Sequence, residues 1–366
     1  MKMLATGLLA LTAGLGLVAA AVPAQATGSG TPATGGRAQT SDGRALATGG
    51  GALPLPAYAD MVVDDVHKRV FVSGGASSNA VVVTDFSGHV RKTIDGQHGA
   101  SGMVLSADGK TLYVALASGD AISAIDTKTL KETARHSTGA RTCPEHLART
   151  GTAVWFGYGC EQSWNGKIGR LDTAASPPSV TGDEQQGVRY QRAPYLASAT
   201  GDDGPVVAGQ LDLSLSELTV YTVDGADLKK GTAGEVAGSN LTDVSLAPAG
   251  TSLYSASGSR DHVEAFATGD LAGRGSYHTG AFPNATAASP DGKHVATARR
   301  TGMKDDVRIY KVGGSTPVRE YDLGSGVTAA PRGLAWSAAC DDLFVITQTA
   351  NDARPELRVI HDPTGW

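Results

Sequence analysis

Residues 102–126 read GMVLSADGKTLYVALASGDAISAID, and this stretch decides the fold. An apolar run at 102–106 is followed by a turn at 107–110 and by a second apolar run at 111–115. Asp108-Gly109 between two apolar runs favours a hairpin, because both residue types tolerate the positive φ of a tight turn. A third strand is predicted at 121–126. The stretch therefore predicts three consecutive antiparallel strands.

The same pattern returns seven times along the chain. Each copy is marked by the first large residue of its second apolar run, which is Val70, Leu112, Val154, Val206, Leu253, Val295 or Leu343. The spacings are 42, 42, 52, 47, 42 and 48 residues. Such a period is typical of radially stacked four-stranded blades, since one blade cannot bury both of its faces alone. The sequence predicts an all-β, seven-bladed β-propeller of antiparallel blades that start near residues 58, 100, 142, 192, 240, 283 and 331.

The N-terminal residues predict export and a tether. Lys2, an apolar run over 4–22 and the small-residue motif Ala24-Gln25-Ala26 are typical of a signal peptide over residues 1–26, cleaved after Ala26. The alternative is a retained membrane anchor. We expect a secreted protein, extracellular or cell-wall associated, with no stable membrane insertion after cleavage. Residues 27–45 contain too few apolar side chains to pack and predict a flexible tether, so the propeller spans residues 46–366.

The ends of the chain predict how the ring closes. After the third strand of the last blade, at 357–362, four residues remain, which is too few for a fourth strand. The spacing before the other inner strands places the missing strand at 48–52 or slightly earlier, around 44–48. An N-terminal strand is therefore expected to complete the last blade and to cover an edge that would otherwise be open to aggregation.

The repeat also assigns the three cysteines. Cys143 precedes the first strand of the third blade and Cys160 follows its second strand, so a hairpin places them opposite each other, and we expect a disulfide. Cys340 lies in the turn of the seventh blade, at the other end of the strands. It should be a free, partly exposed thiol.

Loops at the mouth of the central channel are the expected binding face, because function in such rings gathers there. The repeat places on this face a mixed set of charged, polar and aromatic candidates: Asp60, Glu145, Arg192, Asp243, Asn284, Arg332, Trp164, Arg260 and Arg299. These side chains could orient a polar ligand. They could equally form a solvated rim of mutually paired charges.

The sequence gives little support for a specific catalytic or metal-binding site. The weak catalytic candidates are Glu145, His146, Arg192 and Arg332, with His146 as the only histidine of interest as a base. There is no serine-hydrolase or zinc-protease motif and no calcium loop, and the histidines are scattered, so neither a metal nor a cofactor is predicted. A net charge of −5 without a basic patch makes nucleic acid an improbable partner.

Several stretches carry a resemblance to a known group. They are Asp60–Asp64, Arg69–Gly75, Val81–Gly88 and Ser118–Asp126. They resemble the propeller of secreted actinobacterial proteins described as Ig-like domain repeat proteins, in the wider YVTN-repeat group, similar to the YncE family. The resemblance covers roughly residues 53–362 and includes the cysteine pair, although the eponymous repeat appears only loosely, at 112–115. Immunoglobulin-like repeats follow the ring in longer relatives, so this chain is expected to be a short member or a fragment.

Two function classes follow. The resemblance carries no catalytic residues and implies a non-enzymatic scaffold that binds an extracellular protein, glycan or cell-wall component through its loop face. The alternative is a lactonase-like propeller hydrolase or lyase acting at the channel mouth. Convergence of three or more of the candidates Glu145, His146, Arg192, Asp243, Asn284 and Arg332 on one enclosed pocket a few ångströms across would favour the alternative. A wide, wet funnel with paired charges would favour the scaffold.

Overall fold

The structure, a computed structural model, describes residues 48–161, 163–199, 204–302, 305–349 and 351–365. The predicted signal peptide and tether lie outside the described residues. Within them the regular elements are 28 strands, arranged as seven four-stranded antiparallel sheets, so the predicted all-β, seven-bladed propeller is confirmed. No helix in this described part is long and apolar enough to span a membrane.

The strands follow one another blade by blade. The N-terminal strand is β1 (Thr48–Ala52), and the first blade contains β2 (Asp60–Asp64), β3 (Arg69–Ser73), β4 (Ala80–Asp85) and β5 (Val90–Asp95). The second blade contains β6 (Ala100–Leu105), β7 (Thr111–Leu116), β8 (Ala121–Asp126) and β9 (Lys131–Ser137). The third blade contains β10 (Pro144–Thr150), β11 (Ala153–Tyr158), β12 (Lys167–Asp172) and β13 (Ser179–Thr181). The fourth blade contains β14 (Tyr195–Ser198), β15 (Val206–Gly209), β16 (Leu218–Asp224) and β17 (Asp227–Gly234). The fifth blade contains β18 (Leu241–Leu246), β19 (Ser252–Ser257), β20 (His262–Ala267) and β21 (Gly273–His278). The sixth blade contains β22 (Pro283–Ala288), β23 (His294–Arg299), β24 (Val307–Lys311) and β25 (Pro317–Tyr321). The seventh contains β26 (Val327–Trp336), β27 (Asp342–Thr349) and β28 (Asp352–His361).

The period read from the sequence corresponds to the second strand of each blade. Six of the seven marker residues are the second residue of that strand, and Val206 is the first residue of β15. All seven are at most 1% exposed. A strand buried on both faces reads as a continuous apolar run rather than an alternating one, which is why these segments gave the clearest repeat.

The hydrophobic core is divided among the interfaces between blades. Seven clusters of buried side chains occur, and each joins two neighbouring blades. One example packs Phe71 of the first blade against Leu112 of the second. Another packs Val72 of the first blade against Phe344 of the seventh. The apolar packing therefore continues around the whole ring.

The sheet of the last blade contains both ends of the described chain. Its order is β1-β28-β27-β26, with β1 antiparallel to β28. Immediately after β1, the Leu53 amide donates to Pro355 O at 2.8 Å. Leu53 and Leu55 are 1% and 3% exposed and pack into the cluster between the seventh and first blades. Residues 44–47 of the segment expected to close the ring lie outside the described residues.

The cysteines are arranged as the sequence predicts. Cys143 and Cys160 are disulfide-bonded at the channel end of the third blade, with their Cα atoms 5.0 Å apart. Cys340 is a free, partly exposed thiol. Its backbone adopts φ 62° at the turn position where the equivalent turns have Gly109 and Gly292, so the thiol is held on a backbone conformation that favours glycine.

Candidate functional site

The inner strands are irregular where they begin, at the mouth of the central channel. In five of the seven blades the pairing of the first and second strands shifts at this end. The irregular segments contain Glu145 between Pro144 and His146, and Arg332 between Ala329 and Leu334. An extra residue in a strand bends it and redirects the side chain there. Arg332 also adopts φ 59°, which costs a non-glycine residue free energy and often marks a functional position.

Side chains at this end also connect blades that share no sheet. Asp60 Oδ2 accepts the Met103 amide of the next blade at 2.7 Å. Asp243 Oδ2 accepts the Thr286 amide at 2.8 Å, which is the same contact four blades further on. Each carboxylate thus accepts a backbone N–H of the adjacent inner strand. Part of their role is therefore structural.

A cavity of about 550 Å³ occupies the channel and is lined by all seven inner strands. Its titratable and aromatic polar side chains are Tyr58, Asp60, Glu145, His146, Tyr195, Asp243 and Arg332. Hydroxyl residues such as Ser101 and Thr286 and apolar residues such as Leu334 and Trp336 line the rest. Three of the predicted catalytic candidates and two further predicted face residues thus share one cavity. Four of the six residues named as the discriminating set converge there.

Arg332 connects the polar groups across the channel. Its Nη1 and Nη2 donate to Thr242 O at 3.3 Å and to Ala59 O at 3.4 Å, on the fifth and first blades. Its guanidinium carbon lies 5.6 Å from the centre of the Tyr195 ring. Among the described residues no carboxylate lies within ion-pair distance of this guanidinium. Both of its polar contacts are long, so much of its donor capacity faces the cavity.

The two aspartates ionise with difficulty. Burial raises the pKa of Asp60 to about 6 and that of Asp243 to about 7, although backbone amides and the Arg332 cation favour the charged forms. Asp60 is partly accessible from the cavity but lies deep in the protein, and Asp243 is 3% exposed. With these pKa values Asp243 is partly protonated near neutral pH and Asp60 becomes protonated in mildly acidic solution, and each carboxyl can donate a hydrogen bond in its protonated form.

His146 and Glu145 differ from what the sequence suggested for a base. Burial, followed by repulsion from Arg332 and Arg192, lowers the pKa of His146 to about 3, so the imidazole is neutral at ordinary pH. Its ring lies edge-on to Tyr195 at 5.3 Å. Burial raises the pKa of Glu145, whose Oε2 lies 3.9 Å from His146 Nε2. Because an efficient general base has a pKa near the working pH, Asp243 is a better candidate than His146.

The remaining candidates do not line the cavity. Asn284 is 2% exposed, and its amide donates to Ala329 O at 2.6 Å, so it joins two blades rather than facing a ligand. Arg192 pairs with Asp212 at 2.9 Å. Arg260 pairs with Glu264 at 2.6 Å. Arg299 ends strand β23 at the mouth, and Trp164 is exposed on a mouth loop.

Two cavity residues were missed by the sequence reasoning. The Tyr58 hydroxyl donates to Arg332 O at 2.9 Å, and the Tyr195 hydroxyl donates to Asp243 Oδ1 at 3.2 Å. Burial raises the pKa of both phenols well above the usual value. Their position just before or at the start of an inner strand is the same signal that identified Asp60.

One group of possible metal ligands occurs in the described part of the chain. It consists of Asp120, Cys143 and Cys160. The two sulfurs are bonded to each other, and Asp120 Oδ1 accepts the amides of Thr142 and Cys143 at 2.9 Å each. This group therefore holds the loop before the third blade in place.

Comparison with known proteins identifies the class of fold. No protein-family model and no curated protein matches the chain. Among solved structures, the Myceliophteria thermophila Cps50 (Swd1) β-propeller domain has a TM-score of 0.60 at 13% identity, covering 83% of this chain and 97% of that one. A chain of the mitotic checkpoint complex has a TM-score of 0.64 at 14% identity, covering 95% and 100%. KlHsv2 with loop 6CD replaced by a Gly-Ser linker has a TM-score of 0.56 at 11% identity, covering 83% and 98%.

At these identities the likeness is one of fold alone. The chain is a seven-bladed β-propeller, the fold that these solved structures share with it. Fold alone does not assign a ligand, because propellers serve many functions.

Proposed function

We propose that this chain is a non-enzymatic binding propeller that takes an anionic group of its ligand at the channel mouth. The observation that carries the proposal is Arg332, whose guanidinium faces the cavity without an ion-pair partner among the described residues. A carboxylate or phosphate would pair with it through two parallel hydrogen bonds. Asp60 and Asp243 would be protonated beside such an anion and could donate to it.

The wider setting is part of the same proposal. The signal-peptide pattern supports secretion, and the resemblance to YncE-like propellers of Ig-like repeat proteins supports an extracellular or cell-wall ligand. No stable membrane insertion is proposed after cleavage, and nucleic acid is not a proposed partner. The ligand classes that remain are an extracellular protein or a glycan.

Small carboxylates should bind wild-type protein, and Arg332→Met should weaken that binding at least about tenfold, because a bidentate ionic contact is lost. Galacturonate, succinate and phosphate are suitable probes, with galactose as the neutral comparison, in calorimetry and thermal-shift measurements. Binding should be tighter at pH 5.5 than at pH 8, since protonation of Asp60 and Asp243 removes negative charge from the cavity.

Two variants control this experiment. Arg192→Met removes a neighbouring arginine that is already paired with Asp212, and should leave the affinity within about twofold. Arg332→Lys keeps the charge but not the planar fork, and should bind more weakly than wild type. Equal binding of galacturonate by wild type and Arg332→Met would overturn the proposal, as would equal binding of galactose and galacturonate.

A second candidate function is supported by the convergence of Glu145, His146, Asp243 and Arg332 on one cavity. We propose as the alternative a lactonase-like hydrolase or lyase in which Asp243 is the acid–base group. A carboxyl with a pKa of about 7 is suited to proton transfer at neutral pH. Arg332 would then stabilise negative charge that develops on the substrate carbonyl oxygen.

A lactone-hydrolysis assay tests this alternative. If the enzyme interpretation holds, Asp243→Asn should lower the rate at least about a hundredfold, whereas His146→Ala should act mainly on substrate affinity, because a neutral imidazole of such low pKa is a poor base. Rates no higher than the uncatalysed reaction for wild type and both variants would end the catalytic case and leave the binding function.

A further inference from the structure

The loops at the channel mouth carry exposed apolar side chains whose backbone adopts positive φ. Trp164, Leu215 and Phe282 are 54%, 55% and 46% exposed, which places them among the few large apolar side chains that face solvent in the described residues. All three adopt φ near 60°. Positive φ is rare for bulky residues and is retained only where the surroundings enforce it.

Strand register places all three on one face. The loop with Trp164 follows the end of β11 that pairs with Pro144, and the loop with Leu215 follows the end of β15 that pairs with Tyr195. Phe282 directly precedes β22. Each therefore lies at the mouth end of an inner strand, beside the cavity opening.

Two arginines accompany the aromatic rings. The Arg189 guanidinium carbon lies 6.0 Å from the Trp164 ring centre, and that of Arg300 lies 5.9 Å from the Phe282 ring centre. Both arginines are exposed. Within the described residues neither forms an ion pair, in contrast to Arg141 on the same face, which pairs with Glu161 at 2.9 Å. We call Trp164, Arg189, Leu215, Phe282 and Arg300 the mouth rim.

Backbone hydrogen bonds fix the mouth rim as one arc from the third blade to the sixth. The Trp164 amide donates to Gln191 O at 2.9 Å, the Phe282 amide donates to Arg260 O at 3.3 Å, and the Arg300 amide donates to Phe282 O at 2.9 Å. The loop that contains Leu215 is anchored in the same way, because the Asn240 amide donates to Leu213 O at 2.7 Å. The rings are therefore presented by anchored loops, and little conformational entropy is lost when a ligand contacts them.

We propose that the mouth rim binds an anionic polysaccharide, with sugar rings stacked on Trp164 and Phe282 and sugar carboxylates paired with Arg189 and Arg300. Flat, exposed aromatic surfaces suit stacking by the apolar faces of pyranose rings. The unpaired guanidiniums supply charge complementarity to uronate groups. This inference rests on the binding role proposed above for the same face and assigns the chemical class of the ligand.

An acidic folded protein is the other partner that such residues could contact, since Trp and Arg also dominate protein interfaces. The polysaccharide is favoured because the apolar contacts are spread over three loops of different blades instead of forming one continuous core. Stable protein interfaces generally need such a core, surrounded by a rim that excludes water.

A short oligogalacturonate and its methyl-esterified form are the probes, measured by calorimetry with full-length mature protein. Wild type should bind the charged form at least about tenfold more tightly than the ester, with affinity falling as salt is added. Trp164→Ala and Phe282→Ala should each weaken binding about tenfold, and Arg189→Gln with Arg300→Gln should abolish the preference for the charged form. Because these side chains are exposed, melting temperatures should not change.

The controls separate this proposal from the previous one. Val66→Ala removes an apolar side chain that is 74% exposed in the turn between β2 and β3, at the opposite end, and Arg141→Gln removes a paired mouth arginine; both should bind as wild type. Rim variants should leave binding of monomeric galacturonate within about twofold, because the cavity is unaltered. Unchanged oligogalacturonate binding in Trp164→Ala and Phe282→Ala would overturn the proposal. So would rim-dependent binding of poly-L-glutamate without binding of the oligogalacturonate, which would assign the surface to acidic proteins.

Discussion

Deleting residues 40–56 should prevent cooperative folding of the whole ring at 37 °C. The deletion removes β1, the antiparallel partner of β28, and with it Leu53 and Leu55. Truncating a buried leucine costs about 2–5 kcal/mol, so the two residues together account for a large part of the roughly 5–15 kcal/mol that stabilises an ordinary domain. The loss should also expose the edge of β28 to other chains. Calorimetry and size-exclusion chromatography measure both effects.

A shorter deletion is the control for this experiment. Removing residues 27–39 takes away only part of the predicted tether and should leave the melting temperature unchanged, because that segment has too few apolar side chains to pack. The double variant Leu53→Ala, Leu55→Ala keeps the strand and should lie between the two deletions. A melting temperature for the 40–56 deletion equal to that of wild type would contradict the role assigned to this segment.

The architecture could be predicted because the repeat consists of local signals. Doubly buried second strands are visible in the sequence without knowledge of neighbours and recur with a nearly constant spacing, and Asp-Gly turns mark the first hairpin of two blades. The same register predicted the disulfide between Cys143 and Cys160. Each of these features depends on residues within one blade.

The cavity could be predicted only in part, because its chemistry depends on contacts between blades. Asp60, Asp243 and Arg332 were placed at the mouth by their position in the repeat, but the hydrogen bonds to Met103 and Thr286 and the raised pKa values come from neighbouring blades and burial. The irregularities at the start of the inner strands add residues that a fixed period cannot align. The positive φ of Trp164, Leu215 and Phe282 could not be predicted either, since none of them is Gly, Asn or Asp.

Asp243→Asn should be more stable than wild type at pH 8, while the two proteins should have equal stability near pH 4. Burial raises the pKa of Asp243 in the folded protein to about 7, from 3.8. The folded state therefore binds this proton more tightly than the unfolded state, and the contribution of Asp243 to stability falls as pH rises from about 4 to 7. A shift of this size corresponds to at most about 4 kcal/mol. Asparagine resembles the protonated acid, because its oxygen can accept the Thr286 amide while its NH2 group donates to the Tyr195 hydroxyl, so the variant avoids the loss.

Asp120→Asn provides a control of opposite sign in the same urea titrations. Burial would raise the pKa of Asp120, but the amides of Cys143, Arg141 and Thr142 outweigh it and lower the pKa. The stability that Asp120 contributes is thus present above about pH 4 and lost in acid, so its removal should destabilise the protein at pH 8 and not improve it. If the stability of Asp243→Asn followed the wild-type pH dependence between pH 4 and 8, Asp243 would be ionised throughout. It could then neither donate to an anion beside Arg332 nor act as a neutral acid, and both functions proposed for the cavity would lose the proton that they need.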